Sequence, residues 1–154
     1  MEEALRKELI VSAIENGTVI DHIPSTAVMR VMKILELEKS KNQVLFGMNL
    51  ESRKFGKKGI IKVRDTFFEP IEINKIALVA PSASLTVIRD FKVVEKKMVE
   101  IPDFVAGFIK CFNPKCVTNH ENVPTKFNVI DKIEIRLFCH YCEKITKKEH
   151  IQFI

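Results

Sequence analysis

The chain has 154 residues, of which 46% are hydrophobic and 29% charged, and its formal net charge at pH 7 is +5. This composition excludes a disordered polar chain, and the length fits one ordinary domain or two small ones. The amino end interleaves charged and apolar residues without a long apolar run, so we expect neither a signal peptide nor a membrane contact. A cytoplasmic protein is the expectation that follows.

The positive charge is concentrated in two places. Six lysines and arginines fall within residues 53–64, and Lys92, Lys96 and Lys97 form a second group. A net positive charge favours anionic partners such as nucleotides, nucleic acid or an acidic protein surface. The alternative is structural, because lysines on an edge strand protect it against aggregation.

The first elements of the chain are a strand and a helix. Apolar runs at 9–14 and 18–23 flank an Asn-Gly dipeptide, which favours a hairpin, with a helical turn before the glycine as the competing interpretation. From Ser25 the three-and-four spacing of apolar residues predicts an amphipathic helix, capped by Ser25 or Thr26.

The pattern then continues with two strands, a helix and a strand. Strands are predicted at 43–50 and 59–63 around a basic loop at 51–58, a helix from Pro70 to Pro81, and a strand at 85–94. The order strand, helix, strand, strand, helix, strand is that of ferredoxin-like βαββαβ folds, so the expected class is α+β.

A domain boundary is predicted near residue 101. There an Ile-Pro-Asp sequence breaks the pattern, and every cysteine of the chain follows it. We expect domains at 1–100 and 101–154. The second is too short to be stabilised by an apolar core alone, so it requires an additional cross-link.

The cysteines can supply that cross-link. Two short pairs, separated by a β-rich segment of 22 residues, have the spacing with which a zinc ribbon brings four thiolates onto one tetrahedral ion. All-cysteine ligation predicts a closed, structural zinc site in a small β-rich domain. Two alternatives remain open, ligation by His120, His140 or His150 and a redox Cys-x-x-Cys pair. The predicted ligands are Cys111, Cys116, Cys139 and Cys142.

Asp21 and His22 raise a separate question, because an acid beside a histidine is a catalytic pair, a ligand clamp or simply the end of a strand. On a regular strand their side chains would point to opposite faces, so both can reach one ligand only where the strand bends. Pro24 predicts such an end.

Taken together, these motifs resemble the regulatory chain of aspartate carbamoyltransferase, over nearly the whole length. The matching stretches are Gly-Thr-Val-Ile-Asp-His-Ile-Pro at 17–24, Gly-Met-Asn-Leu at 47–50, Gly-Lys-Lys-Gly-Ile-Ile-Lys at 56–62, Ala80-Pro81-x-Ala83 with Ile88, Val93-Val94, Cys-x-Asn-x-x-Cys at 111–116 and Cys-x-Tyr-Cys-Glu-Lys at 139–144.

The resemblance implies that the chain does no chemistry itself. Chains of this family pair as dimers that bridge trimers of a separate catalytic chain of pyrimidine biosynthesis. An N-terminal allosteric domain binds CTP, UTP or ATP, and a C-terminal zinc domain docks on the catalytic chain. The surface implied to contact the catalytic chain includes Asn113, Glu121, Tyr141 and Lys144. Beside it lies Lys115, at a position where the family often has asparagine.

The same resemblance assigns the acid and histidine to a ligand clamp. Carried over by position, Asp21 accepts hydrogen bonds from ribose hydroxyls, His22 and Lys96 face the phosphates, and Lys62 bridges ribose and phosphate. Two positions depart from the family pattern, with Thr86 near the base in place of asparagine and Phe91 in place of tyrosine. The residues expected to line the base and sugar pocket are Val19, Ile88, Phe91 and Val93.

Two other functional classes compete with this interpretation. A catalytic role for Asp21 and His22 requires a nucleophile, and no Gly-Ser or Gly-Cys elbow accompanies them. The second rival is a zinc-ribbon nucleic-acid-binding protein, since basic patches beside ribbons often contact phosphate backbones. Phe55 is the only aromatic residue in the basic loop, so stacking platforms are scarce and a nucleic-acid partner is disfavoured.

Overall fold

The structure is a computed structural model that describes residues 13–53 and 56–154. The chain divides into two compact units between Glu100 and Ile101. In the first unit the strands are β1 (Gly17–Ile23), β2 (Val44–Ser52), β3 (Gly56–Arg64), β4 (Ser84–Arg89) and β5 (Lys92–Met98). Its helices are α1 (Val28–Ile34) and α2 (Pro70–Val79), with 3₁₀ turns at Ser25–Ala27 and Leu37–Lys39.

The five strands form one antiparallel sheet in the order β2-β3-β1-β4-β5. Its first four strands and two helices follow the βαββαβ order of a ferredoxin-like fold, with β5 added at one edge, so the predicted α+β class is confirmed. The main core lies on one face, where Ile20 is the cross-strand neighbour of both Ile61 and Leu85, and all three are at most 2% exposed.

A glycine lets α1 pack closely against this face. A Cβ atom at Gly59 of β3 would lie 1.9 Å from the Cγ2 atom of Val28, which is fully buried in α1. Only a residue without a side chain fits at this distance. The helix-covered face of the sheet is therefore the face of Gly59, Ile61 and Val63.

The structure corrects the predicted strand at 85–94. Two strands, β4 and β5, occupy this region and are joined by Asp90 and Phe91, whose φ angles are 52° and 62°. Two consecutive positive φ angles make the tight hairpin turn that strand twist favours. The turn is held by hydrogen bonds from the Asp90 N–H to Asn16 Oδ1 (3.1 Å) and from the Phe91 N–H to the Glu15 carbonyl (2.9 Å).

One prediction at the first elements is also wrong, and another lies mostly outside the described residues. The α-helix begins at Val28 without a side-chain cap, because Ser25 Oγ instead accepts a hydrogen bond from the Asn49 N–H (3.0 Å). Residues 13–16 are not a strand, and positions 9–12 of the predicted hairpin lie outside the described residues. The helix at Pro70 is confirmed, with a capping box between Glu69 and Glu72.

The regular secondary structure of the second unit consists of short strands and 3₁₀ turns. They are β6 (Phe104–Ala106), β7 (Ile109–Lys110), β8 (Lys126–Asp131), β9 (Arg136–Cys139), β10 (Ile145–Lys147) and β11 (Gln152–Phe153), with 3₁₀ turns at Val117–Asn119 and Lys148–His150. One sheet has the order β10-β9-β8-β6, and β11 pairs with β7. The largest buried side chains here are Ile109, Phe127, Ile135 and Leu137. Across the described part of the chain no helix is long and apolar enough to cross a membrane.

Candidate functional site

Four residues of the predicted nucleotide set form one row across the first sheet. Val19 of β1 lies opposite Lys62 of β3 on one side and opposite Thr86 of β4 on the other. Thr86 in turn lies opposite Lys96 of β5. Directly paired residues point to the same face, with Cβ atoms about 4.5–5.5 Å apart. The row therefore has a lysine at each end and an apolar and a hydroxyl side chain between them.

This row lies on the sheet face turned away from α1 and α2, because side chains alternate along a strand and Ile20 and Ile61 face the helix-covered core. We call it the distal face and define it by Val19, Lys62 and Thr86. Next to the row, Gly17 of β1 pairs with Ile88 of β4, which pairs with Val93 of β5.

The distal face has an apolar part as well as a basic one. Val19 (8% exposed) packs with Ile14 and Ile60, and the partly buried Leu50 and Ile88 pack against this cluster. The predicted pocket residues Phe91 and Val93 are different, since they are 67% and 62% exposed. The structure thus combines an apolar floor with two exposed apolar side chains at the β4–β5 turn.

Asp21 and His22 come together because β1 is irregular there. His22 has a φ of 57°, the register shifts between Ile20 and Ile23, and the His22 N–H donates to Asp21 Oδ1 (2.6 Å). Asp21 lies opposite Ser84 of β4, so their side chains share the distal face. The His22 Nδ1 atom is 3.0 Å from Ser84 Oγ, which places the imidazole beside Asp21 rather than on the opposite face.

Lys58 belongs to the same group of side chains, although the sequence analysis did not assign it to the site. Its Nζ atom lies 2.8 Å from Oδ1 and 3.0 Å from Oδ2 of Asp21. Since β3 alternates, Lys58 lies on the same face as Ile60 and Lys62. The only signal in the sequence was its place in the predicted basic loop, four residues before Lys62, which does not identify a partner.

The four cysteines meet at the other candidate site. Their sulfur atoms all lie within 4.8 Å of one another, with Cys111 Sγ 3.6 Å from Cys142 Sγ and Cys116 Sγ 3.8 Å from Cys139 Sγ. A tetrahedral ion with metal–sulfur bonds of about 2.3 Å separates its sulfurs by about 3.8 Å. The cysteines are therefore placed to hold one metal ion, as predicted.

Hydrogen bonds around the sulfurs fix this arrangement. Thr118 Oγ1 donates to Cys116 Sγ (3.2 Å). Backbone N–H groups also point at the sulfurs, with Asn113 donating to Cys111, and Tyr141 and Cys142 donating to Cys139. Such outer contacts orient the ligands and stabilise thiolate charge.

The thiols differ in how readily they ionise. Burial raises the pKa of Cys111 and of Cys139. At Cys142 burial raises the pKa, but hydrogen bonds from the Asn113 side chain and the Lys144 backbone outweigh it, and the pKa is lowered to about 7. Four thiolates crowded in this space repel one another, so the full ligand set requires a divalent cation to offset the charge.

The histidines considered as alternative ligands lie outside this cluster. Among the described residues, the metal-ligand group consists of the four cysteines alone. His150 stacks on Phe112, with ring centroids 4.3 Å apart, and His140 packs edge-on against Tyr141 at 5.1 Å. His120 is exposed.

The two units correspond to two known domain families. A model described as the aspartate carbamoyltransferase regulatory chain, allosteric domain, matches residues 9–100, and one described as the metal binding domain of the same chain matches residues 103–152. The chain belongs to this family. The resemblance inferred from the motifs is confirmed, including the assignment as a regulatory rather than a catalytic chain.

Full-length relatives agree with the domain matches. The chain is 52% identical to the aspartate carbamoyltransferase regulatory chain of Bacteroides thetaiotaomicron over 149 residues, which covers 97% of both chains. It is also 52% identical to the regulatory chain of Pyrococcus abyssi over 146 residues, covering 94% of this chain and 96% of that one. The regulatory chain of Parabacteroides distasonis is 50% identical over 151 residues, or 98% of each chain.

The residues predicted to dock on a catalytic chain have different environments. Glu121 and Lys144 are exposed, and Tyr141 is half-buried. Asn113 is committed to its own turn, since its Oδ1 accepts from the Lys115 N–H (3.1 Å) and its carbonyl accepts from Asn119 Nδ2 (2.8 Å). Its structural role beside the cysteines was not foreseen from the sequence.

Proposed function

We propose that this regulatory chain binds the nucleotide effectors CTP, ATP and UTP on the distal face of its first unit, residues 1–100, and transmits their binding to a catalytic chain. The observation that carries the proposal is the row Lys62, Val19, Thr86 and Lys96. It combines cationic groups for phosphates with an apolar surface for a base, which is the chemistry that a nucleotide requires.

Different residues of the distal face contact the phosphates, the ribose and the base. Lys62, Lys96 and the His22 imidazole make charge-assisted hydrogen bonds to phosphate oxygens, each contributing about 1.5–3 kcal/mol. Asp21 accepts hydrogen bonds from the ribose hydroxyls. The apolar residues of the pocket contact the base and sugar, namely Val19, Ile88, Phe91 and Val93, with Thr86 beside the base.

The metal of the second unit, residues 101–154, is proposed to be one structural zinc ion per chain. Four thiolates at tetrahedral separations suit zinc, and no ligand position remains for water or substrate. Free cysteines that act as metal ligands persist in a reducing compartment, which supports a cytoplasmic protein.

The second unit is proposed to dock on the catalytic chain of aspartate carbamoyltransferase. Glu121, Tyr141 and Lys144 lie on turns near the metal ligands, where a bound metal would make the loops rigid, and Asn113 supports them from within. Regulatory chains are further proposed to pair as dimers. Exposed apolar side chains on the edge strands of the first sheet, such as Phe46 and Met98, support self-association.

Effector binding alters activity only if the nucleotide binds two quaternary states unequally, and such couplings are typically about 1–3 kcal/mol. The test mixes this chain with catalytic trimers and measures complex size and the CTP response of carbamoyl transfer. Lys96→Ala should weaken CTP about tenfold and blunt the response without reducing assembly, because it removes one phosphate contact.

Lys97→Ala is the matched control. Lys97 is the next residue on β5, pairs with Glu95 (3.4 Å) and lies opposite buried Leu85, on the other face of the sheet. Lys97→Ala removes the same charge as Lys96→Ala. The CTP affinity should stay within about twofold of wild type, because Lys97 does not lie on the face proposed to bind phosphate. Equal losses in both variants, or salt-steep binding of random DNA with no CTP response, would contradict the proposal.

A further inference from the structure

We propose that Asn119 is a positioning residue of the metal site in the second unit. Neither the cysteine spacing nor the sequence motifs assigned it a role. The inference rests on the proposed structural metal of residues 101–154 and is independent of the nucleotide site. Asn119 is not proposed as a ligand. Its side chain holds the turn that begins at Cys111 in the conformation that directs hydrogen bonds at two of the four sulfurs.

The side chain of Asn119 closes a turn that precedes it in the chain. Its Nδ2 atom lies 3.0 Å from the Cys111 carbonyl oxygen and 2.8 Å from the Asn113 carbonyl oxygen, eight and six positions away. Both partners are carbonyl oxygens, which only accept hydrogen bonds, so the amide must present its two N–H donors to them. The turn between the first two cysteines is therefore held by a side chain that follows it.

A short 3₁₀ turn explains why this amide lies beside the cysteines. The turn Val117–Asn119 begins directly after Cys116, and the Asn119 N–H donates to the Cys116 carbonyl (2.9 Å). Thr118 of the same turn donates its hydroxyl to Cys116 Sγ (3.2 Å). Two consecutive side chains thus contact the metal site. Thr118 contacts a sulfur directly, and Asn119 contacts the backbone that supports other sulfurs.

The residue that Asn119 holds is the one that supports two of the ligands. The Asn113 carbonyl accepts hydrogen bonds from Asn119 Nδ2 and from the Cys116 N–H (3.0 Å). Asn113 in turn donates its backbone N–H to Cys111 and a side-chain hydrogen bond to Cys142. Those two sulfurs lie 3.6 Å apart. Fixing the Asn113 peptide therefore fixes two donors, and removing such outer contacts typically costs about 10- to 100-fold in metal affinity or activity.

The experiment measures the affinity of the full-length chain for Zn²⁺ by competition with a chromogenic chelator. Asn119→Ala should weaken Zn²⁺ binding about 10- to 100-fold. Asn119→Asp should weaken it at least as much, because a carboxylate of the same size faces two carbonyl oxygens without a donor. Asn122→Asp is the matched control, since Asn122 is an exposed asparagine of the same unit, whereas Asn119 is half-buried. The control should stay within about twofold of wild type.

A second measurement separates positioning from a general loss of stability. The zinc-loaded chain is treated with iodoacetamide, and the alkylated cysteines are identified by mass spectrometry over time. In Asn119→Ala the two cysteines that Asn113 supports should be alkylated first, because their hydrogen bonds are loosened. In Thr118→Val the first should be Cys116, whose sulfur loses the hydroxyl donor. A general loss of stability would expose all four cysteines together.

The outcomes separate the inference from the proposal on which it rests. Asn119 variants that bind Zn²⁺ like Asn122→Asp, or that are alkylated equally at all four cysteines, overturn the positioning role and leave the metal site standing. A loss in Asn119→Ala that Asn119→Asp does not share also overturns it, because the side chain would then act by its volume and not as a donor. A wild-type chain that takes up no Zn²⁺ overturns the proposed metal and this inference together.

Discussion

Removing the metal ion should unfold the second unit and leave the first unit folded. The ligands are integral to the core of residues 101–154, since Cys111, Cys116 and Cys139 are at most 2% exposed. Structural zinc contributes about 10–16 kcal/mol of apparent binding free energy in small domains. That is comparable with the whole free energy of unfolding of an ordinary domain, about 5–15 kcal/mol. A unit with so few large buried side chains cannot lose this contribution and remain folded.

The affinity for the metal ion should also depend on pH, because the ligands must lose their protons before they bind it. The bound state requires thiolates, whereas cysteines in the unfolded, metal-free unit have ordinary thiol pKa values of about 8.5 and are largely protonated at neutral pH. Metal binding must release these protons, so the affinity rises with pH and falls on acidification.

Hydrogen exchange measured by mass spectrometry, before and after treatment with a chelator, tests both statements. Peptides covering 126–139 should lose protection when the metal is removed, whereas peptides covering 56–64 and 84–98 should keep it. Metal analysis in parallel gives the stoichiometry, and His140→Ala should retain the metal because His140 is not a ligand. Full protection of 126–139 in metal-free protein would refute the reasoning.

Two further predictions concern the first unit. Phe91→Gly should raise stability by up to about 1 kcal/mol in denaturant unfolding, because it relieves a left-handed conformation that disfavours L side chains while removing a ring that is 67% exposed. A loss of stability would show that the ring packs well. Gly59→Ala should destabilise the unit by about 1–3 kcal/mol, because the new Cβ would overlap Val28 Cγ2. Part of that loss should be recovered in a Val28→Ala background, and purely additive effects would exclude the overlap as the cause.

The elements that sequence reasoning predicted correctly are those with strong local signals. Pro70 marks the start of α2, where its missing N–H costs nothing, and the capping box at Glu69 agrees with it. The metal site was predictable for a similar reason. Cysteine spacing restricts the fold so strongly that the four ligands required no knowledge of the surrounding strands.

Sequence-based prediction failed where the backbone adopts a conformation that the local residue types do not indicate. Hairpin turns with two positive φ angles are usually signalled by Asn-Gly or Asp-Gly, and here the second position is Phe91. The tertiary hydrogen bonds to residues 15 and 16 stabilise the turn instead. Ser25 is a second case, since the hydroxyl that suggested a helix cap bonds to Asn49, 24 positions away.

The acid–histidine pair shows how local and tertiary information combine. The sequence alone allowed three interpretations of Asp21 and His22, and the alternation of a regular strand argued against a shared ligand. The left-handed residue at His22 removes that objection, because the chain bends there and the imidazole reaches Ser84 on the face of Asp21. Strain of about 1–3 kcal/mol persists only where surrounding contacts over-determine it. Here the contacts are the bonds from Ser82 to the His22 carbonyl and between Ser84 and the His22 ring, so the serines of β4 and its preceding turn, rather than Pro24, hold the imidazole beside Asp21.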